Sequence, residues 1–142
     1  MILGGGKHQF LPKDQGGERI DQRNLIAEMQ QAGYRVVFDQ TKLSQIKLGK
    51  NEKLSGLFNT SHLNYDLDRT KKNLPELSLK QMALAALDIL TQNKNGFFLM
   101  VEGGRIDHAL HDTNAKRALP VTIALNEALD ATIKNFMKVI LS

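Results

Sequence analysis

The sequence predicts an α/β protein, a three-layer sandwich built on a mostly parallel sheet. Short apolar runs alternate along the chain with stretches of helical spacing, and this alternation is typical of parallel sheets covered by helices. Residues 97–101, FFLMV, form an unbroken apolar run that is typical of a strand buried on both faces. A long amphipathic stretch follows, which we expect to pack on the sheet.

The first 58 residues are predicted to hold three strands and two helices. Asp21 stands where a helix cap is expected, and Gly33 stands where that helix should stop. The run YRVVF that follows is rich in residues that favour strands. We predict strands at residues 1–3, 34–38 and 53–58, helices at 21–32 and 41–48, and a surface loop at 9–19.

The second half is predicted to be mainly helical around the apolar run. Residues 59–77 show no period and contain Pro75, so they are expected to form a long loop. Ser78 and Gln81 form a capping box that opens a helix reaching about Asn93. The long helix at 113–138 should kink near Pro120, and 139–142 should approach another strand. The buried stripe of the helix at 113–138 is predicted to be Ala115, Ala118, Leu119, Thr122, Leu125, Leu129, Ile133 and Phe136.

Composition narrows the class of protein. The 142 residues, 42% of them hydrophobic, suit one partial α/β domain over residues 1–142. The net charge of +4 is scattered along the chain, so no nucleic-acid partner is expected. No cysteine is present, which excludes disulfides, thiolate metal sites and a cysteine nucleophile. No apolar run approaches the roughly 20 residues of a membrane span.

Three potential metal ligands follow the run at 97–101. Glu102 stands at its end, and Asp107 and His111 lie four residues apart, so a helical or turn-like backbone projects them from one side. The carboxyl ends of parallel strands are where open sheets place their sites. We therefore expect these three side chains to converge. An acidic loop that carries a histidine by chance would show the same spacing.

The stretch VEGGRIDHALH resembles the metal-binding stretch of the alkaline phosphatases. ILGGGKHQF near the start, GLF at residues 56–58 and NYDLDR at 64–69 resemble that family in order and spacing. By this resemblance Glu102 is a magnesium ligand, while Asp107 and His111 bind one of two catalytic zinc ions. The neighbouring His108 is expected to make a supporting hydrogen bond or to lie exposed, and Arg105 to pair with Glu102 or Asp107 or to lie on the surface.

The resemblance also implies that the chain is an internal fragment. The parent would hydrolyse phosphate monoesters through a phosphoserine, with its nucleophilic serine, substrate-binding arginine and remaining metal ligands outside these residues. This chain would then hold no catalytic residue and be inactive alone. The parent is expected to be a periplasmic or extracellular homodimer. Two alternatives remain: a non-catalytic α/β binding or interaction module, and a relative of the sulfatases or phosphopentomutases, which VEGGRIDH resembles less.

Overall fold

The computed structural model describes residues 1–46 and 52–140. It divides into two compact units, Met1–Leu63 and Asn64–Ser142, called here the N unit and the C unit. The prediction of a single partial α/β domain over residues 1–142 stays a prediction, because two compact units can be parts of one domain or two separate domains.

A three-stranded parallel sheet organises the N unit. Its strands are β1 (Ile2–Gly4), β2 (Tyr34–Val37) and β3 (Lys53–Leu57), in the order β1-β3-β2. Ser55 of the central strand lies opposite Ile2 on one side and Val36 on the other. From Leu54 to the end of β3 every residue is buried, which is typical of a central parallel strand. The predicted strands and their parallel pairing are confirmed.

Within residues 1–46 and 52–63, two helices and two short 3₁₀ turns accompany the sheet. The turns are Lys7–Phe10 and Lys13–Gln15, and the helices are α1 (Leu25–Gln31) and α2 (Gln40–Gln45). The second 3₁₀ turn and the last two residues of the first lie within the loop predicted at 9–19. Residues 47 and 48, at the predicted end of the second helix, lie outside the described residues.

The predicted start of the first helix was wrong. Asn24 caps α1, since its side chain accepts a hydrogen bond from Ala27 N at 2.9 Å. Asp21 is engaged instead by the Arg19 guanidinium and by Arg23 N. Gly33 lies just beyond α1 with φ 84°, in the left-handed region that favours glycine, so the predicted stop of this helix is confirmed.

Among residues 64–140, the C unit has four helices: α3 (Asp66–Lys71), α4 (Leu79–Leu90), α5 (Arg105–His111) and α6 (Ala115–Ile140). The capping box at the start of α4 is confirmed. The loop predicted at 59–77 is wrong in part, because it contains α3. That helix buries none of its own residues, so no apolar period marks it in the sequence.

The buried face of α6 differs from the predicted stripe. This helix packs against α3, α4 and α5. Its buried residues are mostly alanines, which let neighbouring helices approach closely: Ala118, Val121, Ala128 and Ala131. Larger apolar residues of the predicted stripe are exposed: Leu119, Leu129 and Ile133. Residues 139 and 140 continue the helix rather than approach a strand, and 141–142 lie outside the described residues.

The strand predicted at residues 97–101 was wrong for the chain as the structure describes it. None of the described residues pairs with this segment in a ladder. Its residues alternate between partly buried and exposed: Phe97 packs edge-on against Phe136 with ring centroids 5.5 Å apart, whereas Phe98 is 87% exposed and Met100 is 73% exposed. An unbroken apolar run predicts burial on both faces, but only one face is covered here.

Candidate metal centre

The candidate ligands are carried by α5 and the turn before it. Gly103 O accepts a hydrogen bond from Ile106 N at 2.9 Å as the turn closes into the helix. A Cβ on Gly103 would stand 3.2 Å from a side-chain carbon of Leu125, so glycine lets this turn lie close to α6. The helix runs for seven residues and is followed by Asp112 at its C-cap.

Asp107 and His111 lie together on the exposed face of α5. His111 Nε2 is 3.4 Å from Asp107 Oδ1, and the side chains are 80% and 74% exposed. One helical turn separates them, as the spacing predicted. Zinc bonds of about 2.0–2.2 Å at a tetrahedral angle place two donor atoms about 3.4 Å apart. The separation of this nitrogen and this oxygen therefore fits two ligands of one zinc ion.

Glu102 does not join this pair. It is exposed at the start of the turn, with Oε1 3.3 Å from where a Cβ on Gly104 would stand. Within residues 1–46 and 52–140, no three His, Cys, Asp or Glu side chains are grouped so as to hold one metal ion. The structure thus brings together two of the three expected ligands. The assignment of Glu102 to magnesium and of Asp107 and His111 to zinc stays a prediction.

The surroundings of Arg105 differ from both expectations. Its guanidinium carbon lies 3.7 Å from the centre of the Tyr65 ring, and its Nη1 lies 3.2 Å from His108 Nδ1. Because arginine only donates hydrogen bonds, His108 Nδ1 is the acceptor in this contact. His108 thus contacts Arg105 rather than one of the candidate ligands, and its expected supporting role at a metal stays a prediction; Arg105 stacks on an aromatic ring.

Tyr65 was not singled out in the sequence, although it lies at the centre of this region. It is 6% exposed and forms a buried cluster with Ala109, Ala118 and Val121, against which Ile106 packs. Its hydroxyl donates a 3.3 Å hydrogen bond to Asp112 Oδ2. The signal for it in the sequence was slight, because it is one aromatic residue in a stretch without apolar period.

Comparison with known proteins identifies the family. The sequence model of the family described as alkaline phosphatase matches residues 1–139. The chain belongs to the alkaline phosphatase family. It is 41% identical over 134 residues to "Alkaline phosphatase 4" of Bacillus subtilis (strain 168), a match that covers 94% of this chain and 26% of the relative.

Solved alkaline phosphatases share the fold. The crystal structure of the Thermus thermophilus alkaline phosphatase superposes with a TM-score of 0.80 at 37% identity, covering 91% of this chain and 26% of that one. A variant of the TAB5 alkaline phosphatase, solved with magnesium bound, gives 0.71 at 19% identity, covering 96% of this chain and 36% of that one. The predicted alkaline-phosphatase-like α/β fold, present in part, is confirmed.

The chain spans about a quarter of the length of the curated alkaline phosphatases that it matches. Among the helices that the structure describes, none has the length and apolar composition needed to cross a bilayer.

Proposed function

We propose that this chain is the segment of a metal-dependent phosphomonoesterase that supplies one magnesium ligand, Glu102, and two ligands of one zinc ion, Asp107 and His111. Family membership supports the phosphatase class. The observation that carries the ligand assignment is the 3.4 Å separation of His111 Nε2 and Asp107 Oδ1, which fits a shared tetrahedral ion.

The donor atoms suit the proposed metals. A carboxylate oxygen and an imidazole nitrogen are ordinary zinc ligands, and a carboxylate oxygen such as that of Glu102 suits magnesium. Bound zinc and magnesium would stabilise charge on the oxygens of a phosphate monoester. Asp107 contributes a negative charge, and His111 contributes a nitrogen lone pair only when its ring is neutral. Both side chains are exposed, so neither must leave a buried position to bind.

The remaining parts of the proposed reaction lie outside this chain. A catalytic zinc takes three protein ligands and one open position, so a third ligand has to come from elsewhere. The same holds for the proposed nucleophilic serine, which would carry the phosphoserine, and for the arginine that would bind the phosphate. A periplasmic or extracellular homodimer is proposed for the parent on family grounds alone.

A chimera tests this function. Residues 1–139 would replace the matching segment of the Bacillus subtilis relative, and hydrolysis of a chromogenic phosphomonoester would be measured with zinc and magnesium present. We expect turnover in the parent chimera and a loss of at least 100-fold in kcat/KM in the Asp107→Ala, His111→Ala double variant, as is usual when electrostatic stabilisation of the reacting oxygens is removed. The isolated chain should give no turnover above metal alone.

Lys80→Ala is the matched control, since this exposed residue of α4 makes no part of the site. A folded, active chimera that keeps its activity without Asp107 and His111 would contradict the proposal and favour a non-catalytic module. Clear turnover by the isolated chain would show that residues 1–142 hold a complete site.

A further inference from the structure

Tyr65 contacts both ends of the helix that carries the candidate zinc ligands. The residue immediately precedes α3, and its side chain is almost completely buried. At the first residue of α5, the Arg105 guanidinium lies over its ring. At the residue that ends α5, Asp112 accepts the hydrogen bond from its hydroxyl. One side chain thus holds the helix before Asp107 and after His111.

The middle of α5 belongs to the same buried cluster as the Tyr65 side chain. Ala109 is fully buried in the cluster that contains Tyr65 and two residues of α6, Ala118 and Val121. Ala109 lies between Asp107 and His111 in sequence, so the buried side of the helix is fixed midway between the two exposed donors.

A second arginine connects the ring to α6. The Arg117 guanidinium carbon lies 4.7 Å from the centre of the Tyr65 ring, and its Nη2 lies 3.0 Å from Asp68 Oδ2 of α3. Guanidinium groups over an aromatic face are attracted by its negative charge density. Tyr65 therefore joins α3, α5 and α6.

The length of α5 makes these contacts important. A helix of seven residues is too short to be stable by its own backbone hydrogen bonds and depends on packing. If either end loosens, the backbone that sets the distance between Asp107 and His111 loosens with it.

We propose that Tyr65 is a positioning residue for the metal pair: its ring and hydroxyl hold the two ends of α5 and so maintain the 3.4 Å separation of the donors. The importance of this for zinc rests on the proposed function. The effect of Tyr65 on α5 itself does not require a metal.

Amide hydrogen exchange of the isolated chain tests the effect on α5. The probes are the amides of Asp112 and Asn114, which donate to carbonyls of α5 at 3.0 and 2.8 Å, and the amide of Thr91 in the last turn of α4 is the reference. Tyr65→Phe keeps the ring and loses only the hydroxyl. We expect exchange about fivefold faster at the probes, as for one lost hydrogen bond, and unchanged at Thr91.

Tyr65→Leu, which also loses the stacked ring, should increase exchange further at the same probes. Asp112→Ala should match Tyr65→Phe when it is read at Asn114, and the double variant should add nothing, because both remove one bond. Unchanged exchange at Asn114 in Tyr65→Phe, or an equal increase at Thr91, would overturn the proposal, since a general structural role affects α4 equally.

Zinc titration provides the second arm. Binding of Zn²⁺ alone would be followed through the His111 ring signals by NMR in the wild type and in Tyr65→Phe. We expect the dissociation constant to rise about fivefold in the variant, the same factor as at the exchange probes. Because the third ligand lies elsewhere, the isolated chain is expected to bind zinc weakly. His111 signals that do not respond even at the highest zinc concentration would contradict the assignment of His111 as a ligand, while the exchange measurements would still decide the role of Tyr65. Equal zinc affinities with a wild-type site would overturn its role in positioning the metal pair.

Discussion

Replacement of Glu76 by alanine is expected to destabilise the C unit by about 3 kcal/mol. The carboxylate is 8% exposed and accepts two hydrogen bonds from Asn64, from the backbone N at 2.9 Å and from Nδ2 at 2.6 Å. Hydrogen bonds to a charged acceptor contribute about 1.5–3 kcal/mol each. The alanine variant also avoids the cost of desolvating the carboxylate, which offsets part of the lost hydrogen-bond free energy, so a net destabilisation of about 3 kcal/mol remains.

Glu76→Gln is the matched variant. A glutamine oxygen still accepts from Asn64 N, and rotation of the Asn64 amide by half a turn lets its oxygen accept from the new amide group. Both bonds then persist without the charge, so we expect a loss of about 1 kcal/mol. The difference in stability between the two variants matters for the candidate metal centre because Asn64 immediately precedes Tyr65.

Urea unfolding followed by far-ultraviolet circular dichroism measures both variants, since four helices report on the C unit. The midpoint should fall in the order wild type, Glu76→Gln, Glu76→Ala, with an unchanged slope. An alanine variant within about 0.5 kcal/mol of wild type would refute the reasoning, because substitutions without structural consequence give values of that size.

Three further predictions concern other parts of the chain. Ser55 Oγ is buried and, among the described residues, has no hydrogen-bond partner. Urea unfolding should therefore show that Ser55→Ala stabilises the chain by about 1 kcal/mol, whereas Ser61→Ala, at an exposed serine, should leave stability unchanged. A destabilised Ser55→Ala variant would contradict this. The pKa of Glu28 is held below its usual 4.5 chiefly by the side-chain hydrogen bond from Arg23. The contribution of this carboxylate to stability is therefore present at neutral pH and is lost as the pH falls through the folded-state pKa. A stability difference between wild type and Glu28→Gln that grows on acidification would contradict this prediction. The exposed apolar side chains Phe98, Met100 and Ile133 should make the isolated chain self-associate, as measured by sedimentation. A strictly monomeric, thermally stable chain at high concentration would show that these side chains do not drive association.

The elements that could be predicted from the sequence are those whose signals are local. The capping box at Ser78 and Gln81 and the stop at Gly33 each depend on one turn of backbone, and both were predicted correctly. The spacing of Asp107 and His111 places them together for the same reason, because four residues make about one helical turn.

The features that were missed depend on contacts distant in sequence. The buried face of α6 is lined by alanines, which carry a weak apolar signal, so larger residues such as Leu119 and Ile133 determined the predicted stripe. The segment at 97–101 has the composition of a central strand, but strand formation needs neighbours that composition does not reveal. Tyr65 lies 40 residues before Arg105, so its position under α5 has no local signature.

The most direct test of the central claim is the response of the four histidines to zinc. The ring signals of His8, His62, His108 and His111 can be followed by NMR as Zn²⁺ is added to the isolated chain. The proposed site predicts a saturable shift of the His111 signals that is abolished in Asp107→Ala, with smaller effects at neighbouring His108. A saturable shift at His8 or His62 with none at His111, or an unchanged His111 response in Asp107→Ala, would contradict the assignment of Asp107 and His111 as ligands of one zinc ion.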